Sequence, residues 1–383
     1  MHIVLLHFYS KTPTPEYQKL SVRFRKHGHK VWIGLPDDND DVQWLNDQQV
    51  VATLPGPEHS FQRLAKLAPF RKLAYRLQYL AMMWRVRSFL QEHKPDVVQI
   101  NMDIAAWVLP LFGPKKTRYV LDIRQINEHV SERPTARLKE KLLIFTLQMW
   151  ARFFFDRACF LHEGGAIRIL GKNWKKKGSV VPLGVDNQFL QFDVNKLSQS
   201  STNEPVRFIY LGIISPLRTL ERLLYAAKKV SSEAPNFCLD FVGPDAANGH
   251  YQQLAKELEL DNVVNFLPPV HYEAVPDLLA KYDVGLAYIP DRPTWHYHPT
   301  IKVLEYRALG LPIISTDVAS HREVVQEGVN GLLVKDDANS IAKSLHRFVD
   351  DRGFLQQCKE NAVQMRGGVT WAEVAEMYEN EVY

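Results

Sequence analysis

Lys302 and Glu305 stand three residues apart in PTIKVLEYRALGLP, residues 299–312, a spacing that places a cation and a carboxylate on nearly the same helix face. Alone, such a couple reads either as a solvated ion pair or as a charge pair presented to a ligand. Other candidates follow strand ends. Asp122-Ile123-Arg124 closes one apolar run and reads as a ligand contact or as an ion pair with a neighbouring loop. His162-Glu163-Gly164-Gly165 closes another; with no second His four residues on it is not a zinc motif, and Glu163 reads as a substrate contact or as part of a helix start. The acidic run Asp37–Asp41 contains an Asp-x-Asp but follows a strand, so a solvated turn is the better reading. Gly243 ends a strand in GPDAANGH without a G-x-G-x-x-G, which gives a nicotinamide cofactor no support, and no Ser/His/Asp order stands out.

The elements that must carry these residues alternate between strand and helix patterns. Apolar runs at Ile3–Phe8 and Val31–Leu35 flank a helical stretch, Glu16–His27, which makes a parallel βαβ unit. Further strands are expected at Asp96–Asn101, Arg118–Ile123 and Ala158–Leu161, and in VVPLGVD from Val180. The polar stretch SQSSTNEP, 198–205, reads as a linker, after which the alternation restarts at Val206–Leu211. Strands at Cys238–Gly243, Val263–Phe266, Val284–Tyr288, Pro312–Thr316 and Gly331–Val334 alternate with helices, among them Ile301–Leu309. The pattern is α/β, with two doubly wound units of similar size meeting at a central cleft. The three cysteines offer neither a disulfide framework nor a zinc ribbon and suit a reducing compartment, and the amino terminus reads as a buried strand rather than a leader.

The segment Asp283–Val334 closely resembles the nucleotide-sugar site of retaining glycosyltransferases of family four, the group 1 enzymes of GT-B fold. Their Pro-x-x-Lys-x-x-Glu-Tyr-x-x-x-Gly-x-Pro pattern stands here as Pro299, Lys302, Glu305, Tyr306, Gly310 and Pro312. VVPLGVD resembles the domain junction, YLGIISPLRT the glycine turn, LPPVHYEAVPDLL the base-binding turn, and VTWAEVAEMYENEVY the last helix, which in the family crosses back onto the first domain. The resemblance implies a Rossmann-like acceptor domain over 1–197 completed by 368–383, a linker at 198–205, and a Rossmann-like donor domain over 206–367. It also implies transfer with retention from a nucleotide sugar to a glycolipid, lipid-linked saccharide or surface polysaccharide, with no metal and no other cofactor. Arg218 and Lys302 then meet the diphosphate and Glu305 the ribose, as the catalytic set. Gly212, Gly243, Val270, His271, Tyr297, His298, Thr300, Ile301 and Tyr306 surround the donor. Tyr9, Ser10, Asn101, Asp103, Arg124 and Glu163 face the acceptor.

The sequence departs from the family at two reactive positions. Tyr297 stands where the family places a Glu eight residues before Glu305, and DVVQIN offers Asn101 in place of the usual first-domain His. A non-catalytic GT-B protein, acting as a binding partner in a polysaccharide-assembly complex, is therefore the rival reading.

The net charge of +4 conceals a split. Met1–Val185 carries 29 Lys and Arg against 16 Asp and Glu, and the remainder 18 against 27. Between Glu58 and Glu92 there is no acidic residue, and seven basic side chains interleave with aromatics. A basic aromatic helix suits an anionic membrane surface, although the same residues also fit the solvated outside of a sheet. No nucleic-acid module accompanies the charge. The expected location is cytoplasmic, peripheral on the inner membrane face.

Overall fold

The computed structural model describes the chain except residues 8–13, 37–41, 47–48, 55–70, 102–106, 125, 127–133, 199–203 and 235. Two compact units emerge, Met1–Gly184 with Trp371–Tyr383, and Val185–Thr370. The division falls at Gly184 rather than at 197, and the return at Trp371 rather than at 368. The physical reason lies in the residues after Gly184. Phe189 is fully buried in the second unit's core, the Val185 N–H donates to the Val369 carbonyl at 2.8 Å, and Ser198 donates to Ala280 and Asp283.

The first unit is built on an eight-stranded sheet: β1 (His2–Leu6), β2 (Lys30–Pro36), β3 (Val42–Asn46), β4 (Gln49–Leu54), β5 (Val97–Asn101), β6 (Arg118–Ile123), β7 (Arg157–Phe160) and β8 (Gly178–Val180). Its order is β4-β3-β2-β1-β5-β6-β7-β8, parallel except for β3, which runs antiparallel to both neighbours. Sequence reading misses β3 and β4, whose β-branched residues follow the acidic run 37–41, and β8 ends at Val180 instead of running through VVPLGVD. Pro182 has no N–H for a ladder, so pairing stops there.

Four helices matter in this unit. In α1 (Pro15–Lys26), Thr14 caps the Tyr17 N–H and Pro15 opens the first turn. The others are α2 (Arg71–His93), α3 (Pro134–Phe153) and α4 (Glu163–Leu170). Val98, Ile100 and Leu121 of the sheet form one core with Met83, Val86 and Leu90 of α2 and Leu147 and Ala151 of α3. The basic aromatic segment expected to lie on a membrane thus uses Met82, Met83, Val86, Phe89 and Leu90 as core. Its residues 59–70 lie outside the described part. The C-terminal helix Trp371–Met377 and the final turn Tyr378–Val382 pack on this unit. Ser179 donates to the Glu381 carbonyl at 3.1 Å, and His27 and His29 reach Glu379 at 2.9 and 3.0 Å.

The second unit holds a six-stranded parallel sheet ordered β11-β10-β9-β12-β13-β14. The strands are β9 (Val206–Leu211), β10 (Phe237–Val242), β11 (Val264–Leu267), β12 (Val284–Ala287), β13 (Ile313–Thr316) and β14 (Gly331–Val334). Every residue of β12 and β13 is buried, the pattern of central strands covered on both faces. Helices α5 (Glu221–Glu233), α6 (Ile301–Leu309) and α7 (Ala338–Asp350) flank it, α5 and α7 on one core, α6 on the other. Among the described residues no helix is long and apolar enough to cross a membrane.

Candidate functional site

The second unit gathers its charged candidates at the carboxyl end of β9, where a parallel sheet presents its loops. Gly212 leaves the strand at φ +142° and Gly243 leaves β10 at φ +150°. A Cβ on Gly243 would stand 2.2 Å from the Gly212 carbonyl oxygen, so the two chain reversals touch backbone to backbone. Over Gly212 lies the Lys302 ammonium, 3.4 Å from where a Cβ would be. Ser215 then caps a short turn, Pro216–Arg218, and Thr219 is left-handed at φ +47°. The turn aims Arg218 at Trp295, with the guanidinium 4.4 Å from the ring centroid.

Helix α6 completes the site. Gly310 ends it in the left-handed region, and Thr300 precedes its first turn. The N–H groups of Ile301 and Lys302 have no partner within the helix, so the positive end of its dipole sits beside the two cations. The Lys302 Nζ rests 3.6 Å from the centroid of the Tyr210 ring, with no hydrogen-bonding partner among the described residues. Burial depresses the Lys302 pKa well below that of an ordinary lysine, and the Arg218 charge lowers it further against a weaker pull from Glu305. The Arg218 Nη1 is buried and equally unpartnered. A cation at a helix N-terminus over a glycine turn, with a second cation in the turn that follows, makes an anion cradle.

Glu305, 4 % exposed, stands one turn deeper on the same helix face and accepts a 3.0 Å hydrogen bond from the Tyr272 hydroxyl. Burial, then the carboxylates of Glu305 and Asp186, keeps that phenol protonated.

Gly212, Arg218, Thr300, Ile301, Lys302 and Glu305 therefore converge. The remaining donor candidates have other surroundings. Tyr306 is fully buried; its ring fills the space that a Cβ on Gly285 would need, and its hydroxyl accepts from the Leu211 N–H at 3.3 Å. It shapes the strand end from below and presents nothing to a ligand. Gly243 supports Gly212. Val270 and His271 are exposed on the loop after β11, where Tyr272, next in line, makes the contact to Glu305. Tyr297 and His298 follow the short helix Pro293–His296; His298 donates through Nδ1 to the Pro299 carbonyl at 2.9 Å and meets Trp295 edge-on.

In the first unit the described acceptor-side candidates, Arg124, Glu163 and Asn101, are engaged in structure. Arg124 pairs with Asp122 at 2.9 Å and donates to the Tyr378 hydroxyl at 2.6 Å. Tyr17 and Gln99 also donate to Asp122, and the Tyr383 hydroxyl donates to Gln99. In Asp122-Ile123-Arg124 the ion pair forms within the tripeptide itself rather than with a neighbouring loop. Its further partners come from α1 and β5 and, through Tyr378, from the far end of the chain. Glu163 opens α4 and accepts from the Trp174 indole at 3.2 Å, while His162 is the cap, its Nδ1 accepting from the Gly164 N–H. Asn101 contacts the His7 Nδ1 at 2.9 Å. Tyr9, Ser10 and Asp103 lie outside the described residues.

Two supporting groups escape sequence reading. His321, fully buried, accepts through Nε2 from Thr300 and donates through Nδ1 to the Ser315 hydroxyl at 2.7 Å, tying the start of α6 to β13. Burial pushes its pKa down to about 3, the Lys302 charge adding to the effect, so the ring is neutral. Asp336 pairs with Arg222 and accepts from the Tyr288 hydroxyl and the Asp291 N–H, and Tyr288 in turn meets Thr219 at the end of the Arg218 turn. Both residues are distant in sequence from what they position, and no spacing rule links them.

Comparison with known proteins follows the same division. The family model described as glycosyl transferases group 1 matches residues 193–365, nearly the whole second unit. EpsD of Bacillus subtilis is 22 % identical over 81 % of this chain and 83 % of its own length. A D-inositol 3-phosphate glycosyltransferase of Geodermatophilus obscurus is 29 % identical over 41 % of this chain and 36 % of its own. Among solved structures, Anabaena HepE in complex with UDP superposes with a TM-score of 0.66 at 16 % identity, covering 99 % of this chain and 98 % of that one. The family match covers the unit that holds the anion cradle, and the two-sheet architecture is that of the GT-B fold, so the chain is similar to the group 1 glycosyltransferases in its second unit and to GT-B structures along its length.

Proposed function

We propose that the chain transfers a sugar from a nucleotide-sugar donor, with retention of configuration, to a hydroxyl of a glycolipid, lipid-linked saccharide or surface polysaccharide. The observation that carries this reading is the Lys302 ammonium at the start of α6 above Gly212, without a hydrogen-bonding partner among the described residues, together with the unpartnered Arg218 Nη1 in the turn after β9. A departing diphosphate develops charge as the glycosidic bond breaks, and preorganised cations and helix N–H groups stabilise that charge most where water is scarce. The cradle supplies this charge from the protein, so the reaction is proposed to need no divalent metal. Glu305 is assigned to the ribose hydroxyls, with Tyr272 fixing the carboxylate. In the transfer, the bond from the anomeric carbon to the diphosphate oxygen breaks and a bond to the acceptor oxygen forms on the same face. The acceptor proton passes to the departing phosphate. UDP is the bound nucleotide in the HepE complex, which makes it the first ligand to try. A lipid-linked acceptor would bring the chain to an anionic membrane, and the basic balance of the first unit suits that partner.

Titration with UDP, followed by turnover of UDP-sugars in the presence of a chelator, tests the reading. Binding and chelator-resistant turnover are expected, both lost in Lys302→Ala. Tyr297, standing where the family places a carboxylate, favours the rival, a binding protein without turnover. Tight nucleotide binding with no hydrolysis or transfer from any common nucleotide sugar would establish that rival instead.

A further inference from the structure

Helix α3 of the first unit is apolar on two opposite faces. Leu147, Trp150 and Ala151 are at most 9 % exposed and belong to the core. On the other side Leu138, Leu142, Phe145, Met149 and Phe153 are 70, 63, 57, 37 and 68 % exposed. At 100° per residue these five fall within an arc of about 80°, and at 1.5 Å per residue they run for about 22 Å. Ile167 of α4, tied to α3 through Gln148 and Arg152, adds another exposed apolar side chain at 43 %. Scattered surface leucines are ordinary, but a continuous stripe of this kind on a helix whose inner face is already buried marks a surface that meets a partner.

The charge around the stripe decides among partners. Residues 134–177 hold ten Lys and Arg against three Asp and Glu. Lys141, Arg168, Lys172, Lys175 and Lys176 are exposed. A second copy docking through the same face would bring two strongly basic surfaces together, which disfavours a symmetric dimer. An apolar stripe rimmed by cations matches instead the boundary between acyl chains and anionic headgroups.

We propose that α3 is a membrane-docking helix, its stripe from Leu138 to Phe153 entering the interface of an anionic leaflet while the surrounding lysines and arginines meet lipid phosphates. The site differs from the segment between Glu58 and Glu92, whose described apolar residues largely form core. The inference deepens the lipid-linked-acceptor reading but stands on the first unit alone.

Sedimentation of the full chain with phosphatidylcholine vesicles, with and without phosphatidylglycerol, tests it. Binding is expected only with phosphatidylglycerol and is expected to fall as salt rises. The double substitution Leu142→Gln/Phe145→Gln should lower the partition coefficient at least about tenfold, since two large apolar side chains leave the interface. Lys175→Gln/Lys176→Gln should weaken binding less, and chiefly at low salt. Both positions of the first pair are exposed, so an unchanged melting temperature verifies the fold. Indifference of the wild-type chain to the anionic lipid, or wild-type binding by the Leu142/Phe145 variant, overturns the proposal. So does a wild-type dimer that the same variant converts to monomer, which would assign the stripe to a second copy. UDP titration of the same preparations separates the readings: vesicle binding without UDP binding sinks the donor site and leaves the docking helix standing.

Discussion

The two units handle charge at their strand ends in opposite ways. At the end of β6, Asp122 and Arg124 pair with one another, and Tyr17, Gln99, Tyr378 and Tyr383 extend a buried network that fastens the C-terminal segment to the first unit and leaves only the Arg124 Nη1 without an acceptor among the described residues. At the end of β9, Lys302 lies over a bare glycine turn without an acceptor, and the unpartnered Arg218 Nη1 follows in the next turn, near enough for its charge to depress the Lys302 pKa. A closed network holds a fold together. Two unpaired like charges only weaken it, and are kept where a ligand supplies the missing anion.

The largest expected effect breaks the closed network. Arg124→Met strands the Asp122 carboxylate, 1 % exposed, and should lower stability by about 3 kcal/mol, read from the urea midpoint. A midpoint within error of wild type would make the network decorative. Next, Lys302→Met should cut transfer by about 10²-fold or more, close to 2.7 kcal/mol, without lowering the melting temperature, because it removes a cation from beside another. A destabilised Lys302→Met protein would erase the contrast between the units. The same lysine makes UDP binding proton-linked. Its pKa is depressed in the free protein and rises when a diphosphate arrives, so binding should take up protons and weaken as pH rises, measurable by titration calorimetry in buffers of different ionisation enthalpy.

A smaller effect concerns the support of α6. The His321 pKa of about 3 lies below the unfolded value near 6.5, so the unfolded chain takes up the proton first. The stability contributed by the neutral ring is complete above about pH 6.5 and is lost as pH falls toward 3. Relative to His321→Gln, the wild-type protein should lose about 1 kcal/mol between pH 6.5 and pH 5.5. Parallel pH profiles for the two proteins would rule out this linkage. Smallest, Tyr378→Phe removes one hydrogen bond to Arg124 and should cost about 1 kcal/mol, visible as a modest drop in melting temperature.

Much of the second unit was legible in the sequence because its evidence is local. Apolar runs bounded by turns locate β9, β13 and β14, and the spacing from Pro299 to Pro312 carries α6 with Lys302 and Glu305 on one face. The first unit was harder. The hairpin β3–β4 was hidden by the acidic run before it, and the exposed stripe of α3 looks in sequence like any apolar helix. Tyr306 matched a motif and proved to be packing, since a pattern records which residue stands at a position but not which way it faces.

The sequence alone determined what depends on neighbours along the chain: the alternation of strands and helices, the glycine turn at Gly212, and the charges at 302 and 305. Tertiary structure decided what depends on long-range partners. It joined Arg124 to Asp122 and to the Tyr378 hydroxyl, 254 residues beyond Arg124, and left Lys302 and the Arg218 Nη1 without an acceptor. It gave His321 the task of holding Thr300, and turned one face of α3 outward. Whether a charge is spent on folding or kept for a ligand depends on what the fold brings within about 3 Å of it, and that distance is set in space, not along the chain.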